Sequence, residues 1–178
     1  MLYLDCINSD YPAVLTVFVD QPAANSNDTY DLWSGTAVHT FIGIIQNGNT
    51  SIVGFYPEGA AKPSSKIHVS VLNNDEGHDY DVSISMNIAK DKLGIILNYI
   101  KNPPLVYNLD TYNCTDFAID VANKCGMNLP DTEGTWPNGS GTNPGCLGQD
   151  IRNMSTTDII SIDPVGGKAP ANVKSCNP

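Results

Sequence analysis

The chain has 178 residues, 41% of them apolar, and a formal net charge of −10. That length supports one domain with a proper hydrophobic core. The acidic balance argues against a nucleic-acid partner, because such binders cluster Lys and Arg, and no apolar run reaches the roughly 20 residues that span a membrane.

Residues 13–19, Ala-Val-Leu-Thr-Val-Phe-Val, read as a buried strand closed by Gln21-Pro22. Residues 23–34 are polar apart from Trp33 and read as a loop. Two β-branched, apolar runs follow, 38–45 and 50–56, on either side of Gln46-Asn47-Gly48-Asn49. Asn-Gly tolerates positive φ at both centres of a type I′ turn, so this is a hairpin with Ile45 facing Thr50 and His39 facing Tyr56. Residues 58–65 are a Gly/Pro/Ser connection, and strands are expected over 67–72 and 80–87. His68 shares a face with Ser70 and is expected at the surface. Between these strands Asp75, Glu76, His78 and Asp79 read as a solvated acidic turn. Their spacing lacks the glycine and terminal glutamate of a calcium loop.

Leu93, Ile96, Leu97 and Ile100 share one helical face, and Pro103-Pro104 stops that helix, giving a helix over about 90–101. A second helix is expected over about 114–125 from Phe117, Ala118, Val121, Ala122 and Cys125, with Gly126 as its stop signal. Residues 129–148 read as a long loop with Trp136 at its middle, and the tail after Ile162 reads as irregular. The fold class expected is α+β, an antiparallel sheet packed by helices, with its core over about 13–162.

Asn113-Cys114 opens the second helix. A thiol there lies among unpaired backbone N–H groups at the positive end of the helix dipole. Both favour the thiolate, the form that attacks carbonyls, and the same N–H groups can hold an oxyanion. The other use of such a cysteine is as a small buried hydrophobe. Asn113 reads as a helix cap or as a donor to substrate. Trp136 either walls a substrate groove or pins its loop to the core.

The hairpin bearing His39 followed by Asn113-Cys114-x-x-Phe117 resembles the circularly permuted papain-like superfamily. That group includes the NlpC-type peptidases and the lecithin retinol acyltransferase group. The segments 54–59 and 141–152 resemble uncharacterised bacterial proteins of this type, and the likeness spans about 13–152. It implies Cys114 as nucleophile, His39 as general base, and a third polar group that orients the imidazole. Many relatives carry His, Asn or Gln on the second hairpin strand. This chain has Tyr56 there, with Glu58 the next polar residue.

The function expected is a thiol hydrolase or acyltransferase acting on an amide or ester of a small molecule, peptide or lipid, without metal or other cofactor. The alternatives are a non-catalytic binding module on the same scaffold, with Trp136 in its groove, and a disulfide-stabilised surface domain. Of the five cysteines, Cys114 is expected free, with Cys125–Cys146 and Cys6–Cys176 as the pairs. Paired cysteines and low lysine content suggest export, although residues 1–20 lack a basic start and a cleavage site.

Overall fold

A strand apolar on both faces needs both faces covered, and residues 13–19 accordingly lie near the middle of the sheet. The computed structural model describes residues 3–29 and 38–173. A short 3-10 helix (Tyr3–Cys6) precedes β1 (Ala13–Asp20), β2 (His39–Gln46), β3 (Asn49–Pro57), β4 (Ile67–Asn74), β5 (Asp79–Tyr80) and β6 (Val82–Ile88). There follow α1 (Lys90–Lys101), β7 (Val106–Asn108), α2 (Cys114–Cys125), β8 (Glu133–Trp136), β9 (Gly139–Thr142), α3 (Pro144–Asn153), β10 (Ile160–Asp163) and β11 (Gly167–Lys168). The fold is α+β: three helices pack a seven-stranded sheet of order β10-β6-β1-β2-β3-β4-β7. Every pairing in that sheet is antiparallel.

Strand alternation divides the core. Leu15, Val17 and Val19 join Ile42, Ile44, Val53 and Phe55 in the main cluster with the helix residues Leu93, Ile96, Phe117 and Val121. On the opposite face Phe18, Phe41 and Ile52 form a smaller cluster with Ala169, and Tyr80 packs against it. The chain beyond β11 covers that second face, with a bridge between Thr50 and Val173. The hairpin register is Ile45 to Thr50, and the turn residues Asn47 and Gly48 have φ of 49° and 80°.

Helix α1 buries Leu93, Ile96, Leu97 and Ile100 and has no side-chain cap at Ala89, so packing supports it. Helix α2 carries a full capping box at its start and ends at Gly126 with φ of 92°. Its Phe117 is 1% exposed and stacks on Phe55 at 5.0 Å and on Tyr99 at 5.9 Å between ring centroids.

Three expectations need correction. Residues 129–148 are not one loop. They contain the β8–β9 hairpin and the start of α3, whose Gly145, Gly148 and Asn143 obscured the helix. Asn143 caps α3, and its Gly145 and Gly148 leave room for Asp28 and Gln21 to approach. The tail after Ile162 is not wholly irregular either: β10 runs to Asp163, and the two residues of β11 pair with β5. Finally, Cys125 and Cys146 do not form a disulfide. Both are buried free thiols, Cys125 at the end of α2 within the main cluster and Cys146 in the first turn of α3 beside Gly134. Cys6 is disulfide-bonded, and its expected partner, Cys176, lies outside the described residues. The loop expected over 23–34 is described only as far as Thr29. Among the described residues, no helix is long and apolar enough to cross a membrane.

Phe117→Ala should lower unfolding stability by about 3–5 kcal/mol, because the stacked rings around it cannot collapse into the cavity. Chemical denaturation followed by tryptophan fluorescence measures this. In thiol mapping of the denatured chain by mass spectrometry, Cys114, Cys125 and Cys146 should label without reductant, and Cys6 only after reduction.

Candidate active site

The start of α2 is fixed by its own side chains. Asn113 Oδ1 accepts from Thr115 N at 2.8 Å, and Asp116 Oδ2 accepts from Asn113 N at 2.8 Å. Asn113 Nδ2 donates to Leu109 O at 3.1 Å and Thr142 O at 2.8 Å, which ties the helix start to the end of β9. The Asn113 amide is thus fully committed to structure. The residue borders the cleft described below, but it has no donor left for a substrate.

Cys114 is the first residue of α2 and is 7% exposed. His39 is the first residue of β2 and is 3% exposed. The two side chains face each other closely enough that each shifts the other's charge. The second ring nitrogen of His39, Nε2, donates to Asp75 Oδ2 at 3.2 Å. Asp75 follows the last residue of β4 and is 5% exposed, with its N–H on Ile52 O at 3.4 Å. The group that orients the imidazole is therefore Asp75, which the sequence placed in a solvated turn. Tyr56 stands one bond further out, its hydroxyl donating to Asp75 Oδ1 at 2.6 Å and its ring packing 4.3 Å from the imidazole. Glu58 is exposed beyond the end of β3.

A glycine makes this geometry possible. The Asp75–His39 contact lies directly over Gly54, in the interior of β3. A Cβ there would overlap Asp75 Oδ2 and come within 2.5 Å of His39 Nε2. Glycine inside a strand often marks a close approach of this kind. That was the signal by which the sequence could have pointed to a partner packed over β3.

Opposite charges and hydrogen bonds set the protonation of the pair. Burial pushes the Cys114 thiol up, but the His39 charge, with hydrogen bonds from His39, the Thr40 N–H and the Thr115 hydroxyl, outweighs it, and the net shift is downward. Burial pulls His39 down, but the Cys114 charge and the Asp75 hydrogen bond outweigh that and raise it to about 9. Both shifts run towards a thiolate beside an imidazolium. Thr115 and Thr40 are fully buried, with their hydroxyls 3.1 Å apart beneath the sulfur.

Sequence reasoning missed two further residues. Tyr107 on β7 is 6% exposed, and its hydroxyl lies close enough to Cys114 to feel both its side chain and its backbone. Burial first, then the Cys114 charge, pushes its pKa up, so it keeps its proton and stays a donor. His78, expected in the acidic turn, sits edge-on to His39 at 5.7 Å, with its Nε2 3.4 Å from Asp20 Oδ2. His68 hydrogen-bonds Ser65 and takes no part in the site.

These groups open onto a cleft of about 390 Å3. Trp136, at the end of β8, forms part of its wall with Leu109, Tyr107, Phe55 and Pro63. Lys66 anchors the hairpin that carries Trp136, donating to Asn138 O while pairing with Asp110 Oδ2 at 2.6 Å. Among the described residues, no group of three His, Cys, Asp or Glu side chains is placed to hold a metal ion.

Asp75→Asn should loosen the imidazolium. The acid limb of Cys114 alkylation by iodoacetamide should move to higher pH, and His39 should titrate below its present value of about 9. Gly54→Ala should do the same by displacing Asp75. Alkylation rates across pH, with NMR titration of His39, measure both. A Gly54→Ala profile matching the parent would show that the close packing over β3 does not matter.

Comparison of the chain with protein-family models, with curated proteins and with solved structures returns no match, so a functional reading rests on this geometry alone.

Proposed function

We propose that the chain is a thiol hydrolase or acyltransferase of permuted papain-like design, with Cys114 as nucleophile and His39 as acid and base. One observation carries the reading: a buried imidazole set against a thiol at a helix start and hydrogen-bonded to a buried carboxylate, facing a cleft. Structural cysteines do not need that arrangement.

The Cys114 thiolate attacks an acyl carbonyl. The oxyanion is held by the Cys114 N–H and the Tyr107 hydroxyl, which exchange their contacts with each other and with the sulfur for the substrate oxygen. His39 passes its proton to the leaving group, and a thioester remains on Cys114. Water or an alcohol then gives a proton to His39 as its oxygen attacks the thioester, and the thiolate returns. Asp75 holds the imidazole through both halves of the cycle, and Tyr56 holds Asp75. The disulfide at Cys6 supports an oxidising compartment as the place of action.

The test is covalent labelling at mildly acidic pH. Cys114 should alkylate far faster than Cys125 or Cys146, and His39→Gln should remove that advantage. Equal rates at all three thiols would favour the non-catalytic binding module instead. Tyr107→Phe should lower turnover of an acyl ester by about a hundredfold, on the scale of one lost oxyanion donor. Because Tyr107 also lies close to the Cys114 side chain, the alkylation profile read alongside separates an oxyanion role from an effect on the thiolate. Cys114→Ala should abolish the acyl-enzyme.

A further inference from the structure

The charge of the cleft selects a class of substrate, an inference that rests on the acyl-transfer reading above. None of the described residues lining it is Lys, Arg, Asp or Glu. The nearby charged groups are engaged elsewhere. Lys66 pairs with Asp110, and Asp75 is held by His39 and Tyr56. Asp116 accepts the Asn113 N–H in the capping box. The imidazolium of His39 is balanced by the Cys114 thiolate and by Asp75.

Of the other polar groups on the wall, Trp136 Nε1, His78 Nε2 and Thr142 Oγ1 are buried out of reach of solvent without a hydrogen-bond partner, and the rest are committed. Thr29 donates to Thr135 O at 2.6 Å, and Asn143 Oδ1 accepts from Cys146 N while its Nδ2 donates to Gly141 O. What remains facing the space is Trp136, Leu109, Phe55, Pro63, Ala60 and Ala61. A substrate carboxylate or phosphate would find no cation here, and the chain's net charge of −10 opposes its approach. An ammonium would find no free carboxylate on the wall. An uncharged apolar chain loses nothing polar on entry and gains burial.

We propose that the acyl group delivered to Cys114 is neutral and apolar, carried as an ester or amide without a charged group on the acyl side. In the first half-reaction the carbonyl carbon gains a bond to Cys114 sulfur and loses its bond to the leaving oxygen or nitrogen, which takes the His39 proton. In the second, water transfers a proton to His39, its oxygen displaces the sulfur, and the fatty acid leaves.

The experiment uses the full chain with p-nitrophenyl esters of acetate, butyrate, hexanoate and octanoate. Two charged analogues of hexanoate join them, the adipate monoester and the 6-aminohexanoate ester. The leaving group is constant, so differences report the acyl side. Nitrophenolate release gives kcat/KM for acylation, and intact mass locates the acyl group on Cys114. Acylation should rise by about threefold to fourfold per methylene over the short chains, the increment for burying a CH2 group. Both charged analogues should fall at least about a hundredfold below hexanoate, as expected for a charge taken into an unpaired apolar site. Leu109→Lys should raise the adipate monoester relative to hexanoate. A flat chain-length series, or a charged analogue matching hexanoate, would overturn the apolar assignment while leaving the Cys114 acyl-enzyme standing. No acylation of Cys114 by any ester would overturn both readings.

Discussion

The site depends on one buried imidazole set between a thiol and a carboxylate. His39 is almost entirely removed from water, and burial alone would favour its neutral form. The thiol of Cys114 is equally buried, and burial alone would keep its proton too. Each group shifts towards its charged form because the other is beside it, and Asp75 tips the balance by holding Nε2. The arrangement is therefore all or none in character. Removing either partner takes from the remaining one its largest offset to the desolvation penalty. A buried pair of this kind is a weak source of stability, so its retention in a well-packed sheet calls for a chemical reason.

The backbone makes the imidazole's position possible. The hairpin register brings β3 alongside β2, and β4 pairs antiparallel beside β3 so that the Asp75 side chain, just beyond its end, reaches over Gly54. Any side chain at 54 would fill the space that Asp75 and His39 share. On the other side, α2 approaches β2 closely enough for Thr40 and Thr115 hydroxyls to meet, which sets the sulfur against the Thr40 N–H. The helix is held there by Phe117, Val121 and Ala122 in the main core, so the packing that stabilises the fold also places the Cys114 thiol.

Much of this was legible in residue patterns that act locally. The Asn47-Gly48 turn set the hairpin register, because few residue pairs accept its backbone angles. The periodicity of Leu93 to Ile100 and of Phe117 to Cys125 fixed both long helices. The same logic placed His39 at one end of the hairpin and Cys114 at the start of a helix. What stayed hidden depends on contacts between distant segments. Asp75 looks solvated among Asn, Glu and Asp neighbours, and only the return of β4 over β3 buries it. Tyr107 stands in a short edge strand with no alternation to mark it. The β8–β9 hairpin and α3 were concealed by Gly, Asn and Thr, residues that serve caps and close approaches as often as loops. Cysteine counting failed for a related reason. Cys125 and Cys146 flank a segment that looked in need of a clamp, yet that segment has its own hairpin and helix to order it.

The way polar groups are distributed links this architecture to its chemistry. Around the cleft, Asn113 and Asn143 spend their amides on helix caps, Thr29 on a backbone carbonyl, and Tyr56 on Asp75. Each is satisfied within the protein, as buried polar groups must be. At the sulfur, the Cys114 N–H and the Tyr107 hydroxyl lie close together. On the proposed reading, a site arranged in this way would meet the transition state with its polar groups and the substrate with its apolar walls. Binding of the acyl chain then contributes to affinity and placement, while the electrostatic work is reserved for the reacting atoms.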